Sequence, residues 1–147
     1  MKIYDSMDIL LSRAQQIISQ KYKETLHEFG LTPAQFHVLK CLWEFRNLTP
    51  GQLAELTYLD RPTTTKVVDK LYKAGYVERV PDHYDRRSLR VYLTEKGEKI
   101  KEPVNSAIES LEKEIIKDIC FRNPEISEEE VKEFYNFLHI LTGIPDA

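Results

Sequence analysis

The stretch RPTTTKVVDKLYKAGYVERVPDHYDRRSLRVYLTEKG, residues 61–97, decides how the rest of the chain is read. Its second half contains two runs with strand character, over 76–80 and 89–93, the latter alternating Leu89, Val91 and Leu93 with Arg90 and Tyr92. Between them lies PDHYDRRS, residues 81–88, where a hairpin needs only about two to five residues, and its end carries Arg86 and Arg87. Its first half changes to a helical period. From Pro62 to about Ala74 an inward stripe of Thr64, Val67, Val68 and Leu71 opposes a stripe of Thr63, Lys66, Lys70 and Lys73 at steps of three, four and three. Gly75 stops that helix.

Working outward, three helix starts share one chemistry: Thr32-Pro33-Ala34-Gln35, Thr49-Pro50-Gly51-Gln52 and Ser127-Glu128-Glu129-Glu130. In each a hydroxyl accepts from a free amide while the Gln or Glu reaches back, and Pro33 and Pro50 stand where no amide partner is needed. These starts predict helices over about 33–46, 50–58 and 128–141. A long amphipathic helix is expected from Ile3, with Met7, Leu10, Ala14 and Ile17 on its stripe, about 40 Å long at 1.5 Å per residue and ended by Gly30. Thr94 opens another long helix past Gly97, bearing Ile100, Val104, Ile108, Leu111, Ile115 and Ile119, with Pro103 as its bend. The expected fold is mainly α with a small β-hairpin.

At 147 residues, with 41% apolar and 31% charged side chains, the chain fits one globular domain that needs no disulfide or metal. Cys41 and Cys120 are too few for a secreted disulfide framework and lack metal-ligand spacing, which favours a reducing interior and a cytoplasmic protein. Acids among the apolar residues of MKIYDSMDILLSR fit neither a signal peptide nor a membrane span. The net charge of −3 conceals an asymmetry. Residues 61–90 hold eight basic against four acidic side chains, a balance of +4, whereas residues 98–147 hold six against twelve, a balance of −6. One region can face a polyanion while the remainder repels it.

A short helix, a tight connection and a second helix with a basic outer stripe is the sequence form of a helix-turn-helix. Thr63, Thr64 and Thr65 are poor helix formers, and a cap needs one hydroxyl, so capping leaves two of them unexplained. Hydroxyls that bond phosphate or base edges, beside methyls that touch thymine, account for all three. The long loop can then carry arginines to the adjacent minor groove, with Asp85 placed to pair with Arg87 and hold it extended.

The stretch from Arg61 to Gly97, together with LTPAQFHVLKCLWE and LTPGQLAEL, resembles the MarR family of winged helix-turn-helix regulators. The wing signature stands here as Asp85-Arg86-Arg87 followed by Leu93-Thr94-Glu95-Lys96-Gly97. The resemblance implies a single MarR-like domain over 1–147, with a winged helix-turn-helix lobe over 31–95 and dimerisation helices over 1–30 and 96–147. It implies that Arg87 enters the minor groove with Asp85 as its orienter, that Thr63, Thr64 and Lys66 read the major groove, and that Arg86 and Arg90 contact phosphate. Arg61, Thr65, Lys70 and Lys73 complete the expected DNA face. The expected function is a homodimeric transcription regulator, a repressor, on an inverted repeat in double-stranded DNA. The alternative is an architectural or protein-binding winged-helix module without sequence readout.

Dimerisation also has an independent argument. Ile3, Met7, Leu10, Ile115, Ile119, Phe134, Leu138 and Leu141 offer more apolar surface than one small winged helix can cover, and a two-fold dimer would set its reading helices roughly 34 Å apart. By resemblance, Met7, Leu11, Phe36, His37 and Trp43 could line a cleft for a small aromatic or phenolic effector; from the residues alone they read first as ordinary core. The redox-sensing branch of the family uses a cysteine in the first helix, and none is there. His37 and Cys41 are four apart, but two ligands do not make a metal site. No glycine-rich phosphate loop or nucleophile elbow is present, so neither an enzyme nor a cofactor is expected.

Overall fold

The computed structural model describes residues 2–144. A 3₁₀ turn, Ile3–Asp5, precedes α1 (Met7–His27), α2 (Pro33–Phe45), β1 (Asn47–Leu48), α3 (Pro50–Thr57), α4 (Arg61–Lys73), β2 (Val77–Pro81), β3 (Leu89–Leu93), α5 (Glu95–Lys99), α6 (Lys101–Arg122) and α7 (Glu128–Thr142). This is a mainly helical winged helix-turn-helix with a small antiparallel sheet in the order β1-β3-β2. In the wing, Val77 faces Leu93 and Pro81 faces Leu89.

The capping chemistry sets the helix starts. At α2 the Thr32 hydroxyl accepts from the Gln35 amide at 3.2 Å, and the Gln35 side chain accepts from the Thr32 amide at 2.9 Å. Thr49 with Gln52, and Ser127 with Glu130, do the same for α3 and α7. Each such cap contributes about 1 kcal/mol. Gly30 takes φ +67°, and the Leu31 amide returns to the Leu26 carbonyl at 3.1 Å, so the chain leaves α1 through a left-handed turn.

Three expectations are corrected. The first α-helix starts at Met7, because Ser6 is extended (φ −72°, ψ 123°) and separates it from the 3₁₀ turn; its 21 residues span about 31 Å, not 40 Å. The helix opened by Thr94 is broken at Ile100, three residues before Pro103. Proline lacks the amide that the Lys99 carbonyl would accept from, so the break falls one turn ahead of the ring. The sheet also has a third strand, β1, whose two residues pair with Tyr92 and Val91 and are too short to show alternation in sequence.

The core collects the inward stripes. Phe36, Val38, Leu39, Leu42 and Trp43 of α2 are buried with Leu53 of α3, Val67, Val68 and Leu71 of α4, Val77 and Val91 of the wing, and Leu26 of α1. α2 touches α1, α3, α4 and both β1 and β3, so it is the element on which the helix-turn-helix and the wing are both set. The chain forms two compact units, one ending at Ile108 and the other beginning at Glu109, with the division inside α6. Among the described residues no helix is long and apolar enough to cross a membrane, and no group of three or more His, Cys, Asp or Glu side chains could hold a metal ion.

Candidate nucleic-acid interface

Between α3 and α4 the turn is Tyr58-Leu59-Asp60, with Tyr58 in the left-handed region at φ 55°. Asp60, not a threonine, caps α4. Its carboxylate accepts from the Thr63 amide at 2.8 Å and from the Thr63 hydroxyl at 2.9 Å. Thr65 lies on the exposed side, its hydroxyl donating to the Arg61 carbonyl at 3.0 Å.

Thr64 is fully buried and its hydroxyl donates to the Asp60 carbonyl at 2.9 Å, so it cannot reach a base. The helical period, which turned Thr64 inward beside Val67 and Val68, prevails over the role that the resemblance implied for it. Thr64→Val, nearly isosteric, should therefore lower stability by about 1 kcal/mol through the lost hydrogen bond and leave sequence preference on DNA unchanged. Urea unfolding and binding to a panel of single-base operator variants measure the two effects; an altered preference would return Thr64 to the interface.

The outer face of α4 presents Lys66, Lys70 and Lys73 to solvent, and Arg61 is exposed at its start, its guanidinium lying against Gly51 of α3. Lys73 pairs with Asp69 at 2.9 Å but remains 74% exposed, so it is still available to phosphate. Arg79 of β2 stacks on the Tyr72 ring at 4.2 Å and lies 3.7 Å from Asp69, which ties the base of the wing to α4. Its charge belongs to the +4 balance but is already engaged. Lys66, Lys70, Arg86 and Arg87 make no direct ion pair among the described residues.

The wing loop runs from residue 82 to 88 and is closed by its own backbone. The Asp82 amide donates to the Ser88 carbonyl at 2.7 Å and the Ser88 amide to the Asp85 carbonyl at 2.9 Å. Two aspartates shape the interior: Asp82 accepts from the Tyr84 amide and Asp85 from the Arg87 amide, each at 3.0 Å. Such side-chain turns two residues long are what Asp does in loops. Asp85 thus orients the backbone at Arg87 and makes no ion pair with its guanidinium, a correction to the expected pairing. Arg86 and Arg87 both stand exposed beside His83 and Tyr84.

Arg90 departs further from expectation. Its Nε donates to Asp82 at 3.2 Å and its Nη1 to Asn47 at 2.9 Å, leaving its side chain 31% exposed and held within the fold, not offered to phosphate. Sequence reasoning missed Asp60, Asp82 and Asn47; aspartates placed two or three residues before an amide that needs a partner were the available signal for the first two.

The LTEKG segment closes the far end of α4. Thr94 caps α5 by accepting from the Gly97 amide at 3.1 Å while its hydroxyl donates to the Gly75 carbonyl at 2.6 Å. Lys96 donates to the Ala74 carbonyl at 2.7 Å and lies 4.5 Å from the Tyr76 ring centre. These residues hold the end of the wing to the turn after α4.

The carboxylates of this region share one electrostatic feature. Asp60 is held below the usual carboxylate range by the Thr63 amide and hydroxyl, Asp69 by its hydrogen bond to Lys73, and Asp82 by the Tyr84 amide with Arg90 assisting. Each lowered group contributes stability that is complete above its unfolded value and disappears as pH falls through the folded one. The melting temperature should therefore drop on acidification through and below the ordinary carboxylate range. Asp60→Asn keeps a good cap at neutral pH and should flatten that drop; parallel pH profiles for the two chains would contradict the assignment.

The other candidate residues are spread more widely. Ile3, Met7 and Leu10 are exposed by 66%, 57% and 53%, and Ile119, Phe134 and Leu141 by 45%, 55% and 51%, while Ile115 and Leu138 are half-buried. Of the expected effector residues, Phe36 and Trp43 are core, their rings 6.3 Å apart, and the Trp43 indole donates to the Gly97 carbonyl at 2.9 Å. Met7, Leu11 and His37 are exposed. A cleft of about 230 Å³ is lined by Lys40, Trp43, Glu44, Lys101 and Asn105, so it contains only Trp43 of the five.

The sequence profile of the MarR family matches residues 31–89, which hold α2 to the end of the wing loop. The organic hydroperoxide resistance transcriptional regulator of Bacillus subtilis is 31% identical over 102 residues, covering 69% of this chain and 69% of that protein. The chain belongs to the MarR family. Another B. subtilis relative, the uncharacterised regulator YsmB, is 42% identical over 88 residues, 60% of each chain, so the match spans about three-fifths of its length. Among solved structures, a mutant of MarR itself from E. coli in complex with operator DNA superposes with a TM-score of 0.81 at 26% identity, covering 95% of this chain and 94% of that one. A probable transcriptional regulator from Pseudomonas aeruginosa gives 0.83 at 26% identity, with 95% and 99% covered. The MarR match begins at Leu31, just before the capping box of α2, and ends at Leu89, the first residue of β3.

Proposed function

We propose that this chain is a homodimeric, sequence-specific DNA-binding transcription regulator, a cytoplasmic repressor that recognises an inverted repeat and is released by a small aromatic or phenolic ligand. The observation that carries the reading is that Lys66 and Lys70 on α4 and Arg86 and Arg87 on the wing stay exposed and make no direct ion pair among the described residues, while Arg79 and Arg90 are tied into the fold. Lys66, Lys70, Lys73 and Arg86 suit phosphate, Thr63, Thr65 and Lys66 suit the major-groove edge, and Arg87 suits a narrow minor groove. Phosphate contacts would supply most of the affinity, so binding weakens steeply as salt rises.

Dimerisation is supported by the exposed apolar residues of the N-terminal segment and, separately, of α7. Two copies related by a two-fold axis would require a palindromic operator. Release by a ligand is supported by the cleft lined by Lys40, Trp43, Glu44, Lys101 and Asn105, whose two lysines beside Glu44 suit an aromatic ligand that carries both an acidic and a donor group. Selection from random duplex oligonucleotides tests the reading: a regulator enriches an inverted repeat, an architectural module enriches none, and a protein-binding module retains no DNA. Thermal-shift screening of phenolic compounds tests the effector, and an absence of binders removes it.

Lys73→Ala should weaken operator and random duplex alike, by about two- to fivefold, and lower the salt dependence by about one counterion. Fluorescence anisotropy at three salt concentrations reads both; a changed sequence preference would make Lys73 a base reader instead.

A further inference from the structure

Asp82 stands where the two strands of the wing part, and its carboxylate serves two masters. One oxygen accepts from the Tyr84 amide inside the loop at 3.0 Å; the other accepts from Arg90 Nε at 3.2 Å. Arg90 continues through Nη1 to Asn47 on β1, at 2.9 Å. Asn47 lies across the sheet from Tyr92, on the same face as Arg90, and two residues ahead of Thr49, the cap of α3. A continuous path of side-chain hydrogen bonds therefore runs from the wing loop to the entrance of the helix-turn-helix. The Asp82 side chain is only 13% exposed, and its bond to Arg90 is charge-assisted.

A loop of this length, left free, would carry Arg86 and Arg87 over many positions, and ordering it on contact would weaken binding. The long loop is instead fixed at its base, by the Asp82–Ser88 backbone bond and by one guanidinium fork. Lysine has no such fork and could not hold both partners in a set geometry.

We infer that Arg90, acting with Asp82 and Asn47, is a positioning residue: it sets the angle of the wing against α3 and α4, so that Arg86 and Arg87 meet the duplex in register with the reading helix. The inference rests on the DNA-binding reading given above. Arg90 acts through the two arginines and touches no phosphate, which separates it from Lys73 and Lys70.

The test compares the full chain with Asn47→Ala, in the natural background and in one carrying Arg86→Ala and Arg87→Ala, on a selected operator at three salt concentrations. Asn47→Ala should weaken operator binding about tenfold in the natural background with no change in salt dependence. In the double-alanine background the same change should cost less than about twofold, because the residues that the brace positions are gone. Equal losses in both backgrounds, or none in either, overturn the inference. Arg90→Lys, which keeps the charge and loses the fork, should follow the same pattern, and wild-type affinity in it would also overturn the brace. A natural chain that binds no duplex at low salt overturns the regulator reading itself, whereas a binding chain with additive losses sinks the brace alone.

Discussion

Arg87→Ala is expected to weaken operator binding by about ten- to a hundredfold without altering the fold or the oligomeric state. The side chain is exposed at the wing, its backbone amide is held by Asp85 at 3.0 Å, and no carboxylate among the described residues neutralises it. On the proposed reading, this guanidinium enters a narrow A·T-rich minor groove, where the negative potential is strongest. The loss should accordingly be larger on operators with A·T flanks than on those with G·C flanks. Asp85→Ala should reproduce part of the effect, since it frees the Arg87 amide without removing the cation. Anisotropy titrations with both operators decide the matter, and unchanged affinity for the A·T-flanked duplex would remove Arg87 from the groove.

Gly97→Ala should have the largest effect on stability, about 3 kcal/mol, with a fall in melting temperature of about 10 °C. A Cβ at this position would collide with the Tyr76 carbonyl and press on the Leu93 side chain. The Leu93 methyl can turn aside, but the Tyr76 backbone carbonyl cannot give way cheaply. The Tyr76 carbonyl accepts from the Thr94 amide at 3.0 Å, and the Gly97 carbonyl accepts from the Trp43 indole at 2.9 Å, so the glycine is fixed from both sides. The backbone itself demands no glycine here, as Gly97 is an ordinary helical residue; close approach is the whole reason. Urea unfolding measures the loss, and a near-neutral variant would show that α5 can shift away from β2. Such a shift would also move the wing, so DNA affinity should fall with stability.

The two cases differ in how they could be read from the residues. Arg87 stands out as a candidate in the sequence because its setting is local: an Asp two positions earlier, a loop longer than a hairpin needs, and a basic helix just upstream. Gly97 was recognisable as part of a signature, yet its neighbour Trp43 lies 54 residues away and nothing in the sequence pairs them. The same division runs through the charges. Counting gave eight basic side chains over 61–90, but Arg79 is engaged by Asp69 and Tyr72, and Arg90 by Asp82 and by Asn47, 43 residues distant. Among the described residues, the cations that make no ion pair are therefore fewer than the count suggests.

By itself, the sequence determined the helix starts at Thr32, Thr49 and Ser127, the turn at Gly30, the alternation of β3, and the inward stripe of α4. All of these are settled by residues within a few positions of one another, where backbone geometry fixes who meets whom. Only the tertiary structure decided that Arg90 bonds Asp82 and Asn47, and that two residues at Asn47–Leu48 complete the sheet. Those outcomes depend on which side chain reaches which partner across space, and a hydrogen bond between distant residues leaves no periodicity for a reader of the chain to find.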